Sequence, residues 1–279
     1  MNSRIAGSTT IDTGTDQLLC TVEDAVATIT LNRPEKRNAL SDVLSPALRT
    51  LLLEVDANTA VRCVLLTGAG SAFCAGGDVS QMGGGALANE KDSFETRVQN
   101  LRLRQRSLTQ RLYELKTPTV AALPGAAAGA GMSLALACDI RVAASSAFIT
   151  AAFGRIGLSG DHGGSWLLTR LVGPAIAKEL YFTSRRVLSD EAQRLGLLNA
   201  VYPDATFRED ALHFAKTVAA GPPIAMGYMK EHINHAQHLR VGEAFDLEAE
   251  HLMRCATSED HQEAVEAFLE KREPKFSGR

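Results

Sequence analysis

An α/β fold with a largely parallel sheet is predicted by three features of the chain. Apolar, β-branched runs alternate with helix-periodic segments, two strands lead into glycine-rich turns that open helices, and the C-terminal part reads as almost wholly helical. Residues 18–22 and 26–31 are short apolar runs around Glu23, Asp24 and Ala25, the pattern of a hairpin, and Asn32, Arg33 and Pro34 stop the second strand. Residues 41–56 place Val43, Leu44, Ala47, Leu48, Leu51, Leu52 and Val55 at helical spacing, with Ser41 as the N-cap. A buried strand follows at 61–67, then a glycine-rich loop at 68–77. Residues 82–89, with Gly83, Gly84 and Gly85 in succession, read as a mobile loop. A long charged helix is expected at 92–115, a strand at 119–123, a second glycine-rich turn at 124–131 and a buried helix from Met132. Short strands are expected at 139–143, 147–150 and 198–202, and amphipathic helices over 206–271. No linker and no fixed-period repeat divides the chain. Residues 1–17 therefore read as a frayed polar tail, 18–204 as one α/β core and 205–279 as a helical extension.

Composition excludes several classes of function. With 29 basic and 32 acidic side chains the net charge is −3, and no basic stripe is visible, so a nucleic-acid partner is not expected. Hydrophobic residues make up 45% of the 279, enough for a large core and far from the composition of disorder. The five cysteines have no short C-x-x-C spacing and mostly sit in apolar runs, which points to buried thiols in a reducing, cytoplasmic setting, with no metal site. Residues 117–138 carry no charge and are long enough to span a bilayer. They are mostly Ala and Gly with Pro118 and Pro124 inside, so strand, turn and buried helix is the expected reading, with no membrane partner.

Chemistry is expected at the two glycine-rich turns. Small residues there let a ligand approach the main chain, and a helix start leaves N–H groups free to donate. Two such donors aimed at one point would form an oxyanion hole. Gly129, Ala130, Gly131, Met132, Ser133 and Leu134 break the G-x-G-x-x-G spacing, which argues against a dinucleotide.

Five stretches in this order resemble the crotonase superfamily of enoyl-CoA hydratases and isomerases, over nearly the whole chain. They are N-R-P-x-x-x-N-A-L at 32–40, F-C-A-G-G-D at 73–78, P-G-x-A-x-G-A-G at 124–131 running into Cys138 and Asp139, the run from Gly157 to Gly164, and F-L-E-K-R at 268–272 with Phe276. The resemblance implies the crotonase fold, a ββα superhelix shared with Clp-type peptidases, closed by a helical C-terminal trimerisation region. It further implies a homotrimer or dimer of trimers, and an acyl-CoA thioester substrate with no cofactor beyond coenzyme A as its carrier. By the same resemblance the thioester carbonyl is held by the main-chain N–H groups of Ala75 and Ala130. The main chain around Lys36, Arg37 and Ala39, and around Ala72, Phe73, Gly76, Asp78 and Val79, would cradle the adenine and pantetheine. Lys36, Arg37 and Lys275 are candidates for the phosphates, or ordinary surface cations.

Departures from the family pattern narrow the chemistry. The two catalytic glutamates of family hydratases fall at Ser133 and Phe153, so neither carboxylate is present. Asp161, in G-L-x-x-D-x-G-G, stands where relatives resembling Δ3,Δ2-enoyl-CoA isomerases and the phenylacetyl-CoA ring-epoxide isomerase keep a catalytic acid/base. A bare Asp in a glycine-rich loop would otherwise be a turn residue. Gly129, Ser133, Phe153 and His162 would line the acyl site. Isomerisation by Asp161 is the leading expectation, and hydration by Asp161, aided by His162, is the alternative. A serine hydrolase built from Ser133, His162 and Asp161, or a non-catalytic acyl-CoA binder, are the readings from other classes. Trp166, the only Trp, reads as a core residue. The C-terminal helices would either bury apolar faces against other subunits or pad the chain's own core.

Overall fold

The computed structural model describes residues 4–5, 7–78 and 92–279. It begins with strands β1 (Arg4–Ile5), β2 (Ser8–Ile11), β3 (Leu18–Glu23) and β4 (Val26–Leu31), helix α1 (Leu44–Ala57), and strands β5 (Cys63–Gly68) and β6 (Ala72–Cys74). Helices α2 (Phe94–Gln105) and α3 (Arg111–Glu114) are joined by a π-helical turn at Arg106–Gln110. Then come β7 (Thr119–Leu123), β8 (Ala126–Ala128), α4 (Ala130–Ala137), β9 (Ile140–Ala144), β10 (Phe148–Thr150), α5 (Gly164–Thr183), β11 (Val187–Leu188), α6 (Ser189–Arg194) and β12 (Ala200–Tyr202). Helices α7 (Phe207–Ala219), α8 (Pro223–His235), α9 (Val241–Ala256) and α10 (Glu259–Glu270) close the chain.

Among the described residues the larger sheet has the order β1-β2-β3-β4-β5-β7-β9-β12, antiparallel up to β4 and parallel from β4 onward. The β3–β4 hairpin turns at Asp24 and Ala25, with φ of 48° and 62°, the double left-handed geometry whose twist suits flanking strands. A smaller sheet, β11-β10-β8-β6, lies beside it and carries the glycine-rich turns. Strand β5 is buried on both faces, as helices covering a parallel sheet require. Val64 and Leu66 point into a core shared with Leu44, Leu48, Leu51, Leu52 and Val55 of α1 and with α4. Cys63 and Leu65 point to the opposite face, where α7 lays down Phe207, Ala211, Ala215 and Ala219. The uncharged stretch at 117–138 is β7, β8 and α4 in this interior, and no helix of the described residues is long and apolar enough to cross a membrane.

The N-cap position of α1 is Val43 and not Ser41, but Ser41 still serves the first turn. Its Oγ accepts the Leu44 N–H at 3.0 Å and donates to Gln17 Oε1 at 2.6 Å, and the helix opens at Leu44, three residues after Ser41. A Ser41→Ala variant should lose about 1 kcal/mol of stability, read as a lower urea midpoint with an unchanged slope.

Several elements depart from the sequence reading. Residues 8–11, expected within a frayed tail, pair with β3 in register Ser8↔Glu23 to Ile11↔Cys20. The loops at 68–77 and 124–131 each contain a three-residue strand, β6 and β8, too short to show a period, and α4 starts at Ala130, two residues before Met132. Residues 82–89 and Val79 lie outside the described residues. Cys20, Cys63, Cys74 and Cys138 are buried and unbridged, and burial pushes each thiol up to about 12. Of the C-terminal helices, α7 pads the chain's own core. Helices α8 to α10 instead leave Ile233, Phe245, Leu252, Met253, Phe268 and Leu269 exposed, Phe268 to 84%.

Candidate active site

Close main-chain contact between the two glycine-rich turns builds the first half of the site. Strand β6 lies parallel to β8, pairing Ala72 with Ala126 and Cys74 with Ala127, and α4 opens two residues after β8 ends. A Cβ on Gly131 would stand 2.2 Å from the Cys74 carbonyl oxygen, so only glycine lets α4 approach β6 this closely. Gly76, with φ of 95°, brings its Cα against the second turn, where a Cβ would meet Ala128 O at 2.9 Å and Ala130 N at 3.3 Å.

Ala130 is the first residue of α4, so its N–H has no intrahelical acceptor and faces Gly76. The expected second donor is corrected by the structure: the Ala75 N–H donates to the Arg37 carbonyl at 2.9 Å and is not available. Two residues on, Leu40 N donates to Gly76 O at 2.8 Å and Asp78 N to Leu40 O at 3.2 Å. The described peptides are all trans, so the Gly77 N–H points opposite to the Gly76 carbonyl, away from Leu40. That leaves the Gly77 N–H, with that of Ala130, as the candidate pair of main-chain donors. Counting along a motif could not separate the two positions, because which peptide faces the site is set by pairing with Leu40.

The stretch 32–40 acts as a clasp on this strand. The Arg33 guanidinium bridges Asp78 at 3.0 Å and donates to Ala39 O at 2.6 Å, with both ionic partners largely buried. Asn38, fully buried at φ 57°, accepts the Arg33 N–H and donates to the Ala69 and Ala72 carbonyls. Asp78 therefore holds the loop together through its carboxylate, and Phe73, Ala39 and Ala72 are buried in the core, leaving main-chain atoms as what they offer a ligand. Lys36 and Arg37 are exposed on the 3-10 turn at Pro34–Lys36, beside this rim. Arg33 and Asn38 were not singled out from the sequence, although they sit inside a quoted motif; their buried polar roles depend on tertiary pairing.

The second half of the site comes from the loop before α5. Its Asp161 carbonyl accepts from Gly164 N at 3.0 Å and from Ser133 Oγ at 3.2 Å, which fixes the loop over α4. The Asp161 Oδ1 is buried and makes no hydrogen bond, and burial raises the carboxyl to about 6. His162, in a left-handed conformation at φ 51°, has Nδ1 at 2.6 Å from Thr109 Oγ1 on the π-helical turn, a distortion frequent at functional sites. Burial, with a smaller contribution from Arg49, lowers the imidazole to about 4, so it is neutral at pH 7. Phe153 stacks on Tyr181 with centroids 5.9 Å apart, and a Cβ on Gly129 would stand 3.6 Å from its ring. Ser133 Oγ also donates to Gly129 O at 3.4 Å, and His162 is committed to Thr109; the catalytic triad of a serine hydrolase is not assembled.

Beyond His162 lies a cavity of about 740 Å³ lined by Thr109, Tyr113, Trp166, Leu167, Lys230 and His238. Trp166 is not a core residue as its sequence context suggests. It is 41% exposed, meets Tyr113 edge-on at 5.5 Å and lies under the Arg170 guanidinium at 4.0 Å. Nothing in the local sequence marks this wall, because α3, α5 and α8 meet there only in the folded chain.

A raised carboxyl is also a statement about stability. The folded state holds the Asp161 proton up to about pH 6, above its ordinary value of 3.8, so the unpenalised state exists at low pH and stability is lost as pH rises through 6. Asp161→Asn removes the charge, and should raise the melting temperature by a few degrees above pH 7, with the gain closing below about pH 4 when thermal melts are run across that range.

A parallel sheet whose two glycine-rich turns meet main chain to main chain, with a buried carboxylate oxygen on the loop fixed over α4, defines an α/β protein of the enzyme class. The chain belongs to the enoyl-CoA hydratase/isomerase family, whose model matches residues 21–279. It is 37% identical to the 1,2-epoxyphenylacetyl-CoA isomerase of Escherichia coli (strain K12) over 265 residues, 94% of this chain and 98% of that one. It is 34% identical to the short-chain-enoyl-CoA hydratase of Clostridium acetobutylicum over 251 residues, 90% of this chain and 93% of that protein. The crystal structure of an enoyl-CoA hydratase from Polaromonas sp. JS666 superposes with a TM-score of 0.86 at 35% identity, covering 93% of this chain and 99% of that one. The crotonase fold expected from the sequence is therefore the fold observed.

Proposed function

We propose that this enzyme moves the double bond of an enoyl-CoA thioester, with Asp161 as its single acid/base. The carboxylate takes a proton from C2 of a 3-enoyl thioester, and the C–H electron pair moves into the thioester to give an enolate. The oxygen of that enolate takes its charge between the Gly77 and Ala130 N–H groups. The protonated Asp161 then gives its proton to C4, leaving the double bond between C2 and C3, so no co-reactant is needed. The observation that supports this most is the buried Asp161 carboxyl, unbonded at Oδ1 and raised to about 6, where it can both accept and return a proton near neutral pH. Ser133 and Phe153 offer no second acid, which argues against water activation by a carboxylate pair.

Coenzyme A would enter as part of the substrate, its phosphates near Lys36, Arg37 and Lys275 and its pantetheine along residues 72–78. The exposed apolar side chains of α8 to α10 support assembly into a trimer or dimer of trimers, and the buried free thiols support a cytoplasmic enzyme. The test is product analysis with purified protein given a 3-enoyl-CoA and, separately, a 2-enoyl-CoA. Conversion of the first to the conjugated isomer without a water adduct is expected. Hydration of the second would replace isomerisation by hydratase activity, and CoA thioester binding without turnover would make the protein a carrier.

A further inference from the structure

We propose that the cavity beyond His162 receives the distal part of the acyl group, and that the enzyme takes large, uncharged acyl groups extending well past C4; the inference rests on the reading of the Asp161 loop as the acyl site. Carbons C2 to C4 are the ones that Asp161 serves, so a four-carbon acyl group ends there and every further carbon needs space of its own. The cavity offers about 740 Å³, within the range of pockets that enclose small-molecule ligands, and its wall includes His162 and Gly163, the two residues that follow the acid. Thr109, whose Oγ1 lies 2.6 Å from His162 Nδ1, lines it from the π-helical turn.

The lining is matched in charge. Leaving the histidines aside, its cations are Arg106, Lys116 and Lys230 and its carboxylates Glu114 and Glu231. Lys230, nearly buried, bridges Asp139 at 2.8 Å, which balances the third cation, and Glu114 accepts from Gln110 at 2.8 Å. A carboxylate at the end of the acyl chain would leave water for a wall that offers no unmatched cation. The apolar part of the wall is Tyr113, Leu115, Trp166 and Leu167. Trp166 is the only Trp of the chain and stays 41% exposed, although an indole is among the largest apolar surfaces a core can bury, so the fold leaves it for a ligand to cover. Each methylene moved from water onto such a wall strengthens binding by up to about fourfold.

Gly227, in α8, provides a way to fill the cavity. It lines the space, and a Cβ there meets only the Lys116 carbonyl oxygen, at an ordinary 3.5 Å, so leucine suits the helix and starts without a clash.

The measurement is calorimetric binding of butanoyl-, hexanoyl- and octanoyl-CoA, and of the CoA monothioester of hexanedioic acid, to the full chain and to Gly227→Leu, with a thermal melt to establish that the variant is folded. The parent is expected to bind octanoyl-CoA at least about tenfold more tightly than butanoyl-CoA, and the hexanedioyl thioester less tightly than hexanoyl-CoA. In Gly227→Leu the octanoyl-to-butanoyl ratio should fall to about two. Should that variant not fold, Trp166→Ala, which removes the aromatic wall from a half-exposed position, is expected to lower the same ratio about threefold or more. Equal affinities for butanoyl- and octanoyl-CoA in the parent, a ratio unmoved in the folded variant, or tighter binding of the hexanedioyl thioester would overturn the inference while leaving isomerisation to be decided by its own product analysis. A parent that binds none of the four thioesters would overturn both.

Discussion

Asparagine in place of Asp161 is expected to lower kcat for 3-enoyl-CoA isomerisation by about 10²- to 10⁴-fold with KM changed only a few-fold, the range for loss of a positioned acid/base. Asn keeps the size of the side chain, and the Asp161 main-chain carbonyl would still bind Gly164 N and Ser133 Oγ, so the loop over α4 should remain in place. What disappears is the group that accepts and returns the proton. Steady-state kinetics on parent and variant, with solvent deuterium incorporation at C4 as a second readout, separates this from general damage. A variant that retains more than a tenth of the parent kcat would remove Asp161 from the mechanism. The parent's kcat/KM should also fall on the acid side of about pH 6, since protonation of the base removes the form that attacks C2.

The second large effect is expected from Gly131→Ala, a change of one methyl group. Its Cβ would lie 2.2 Å from the Cys74 carbonyl oxygen, main chain on both sides, so the contact cannot be relieved by turning a side chain. Strand β6 and helix α4 must separate, at a cost of about 3 kcal/mol or more by analogy with overpacked cores. The same movement separates Gly77 from Ala130, so surviving folded protein should lose about 10²-fold in kcat, as when one oxyanion donor is withdrawn. Gly242, in α9, is the matched control: a Cβ there meets nothing within 4 Å, and Ala should leave the melting temperature unchanged or slightly raised. If Gly131→Ala melts and turns over like Gly242→Ala, then the close approach of the two turns is not what builds the site.

How much of this was legible beforehand differs by element. The hairpin, β5 and β7 were readable as short apolar runs bounded by turn residues, and the C-terminal helices by apolar residues at helical spacing, although α8 to α10 leave much of that apolar surface exposed. Strands β6 and β8 were not, because three residues make no period and their pairing is with each other, more than fifty positions apart in the chain. Ser41 was readable as a partner of the first turn of α1, whereas the strand at residues 8–11 was hidden by its polar composition and is held by pairing with β3. Of the candidate site, Asp161 and Ala130 were singled out through motif position; the structure places the first on the loop over α4 with Oδ1 buried and the second at the start of α4. Ala75 could not be judged from the motif, because only the folded chain shows that its N–H is taken by the Arg37 carbonyl.

The sequence by itself determined the layered α/β fold, the two small-residue turns and the identity of Ser133 and Phe153 at the positions where the resemblance expects hydratase carboxylates, since these are carried by local patterns and residue identity. Only the tertiary structure decided which N–H groups are free, that Asp161 is buried, that Asp78 belongs to Arg33, and that a cavity lies beyond His162. Each of those depends on which surfaces of distant segments meet, and burial and main-chain direction are properties of that meeting and not of any one stretch of chain.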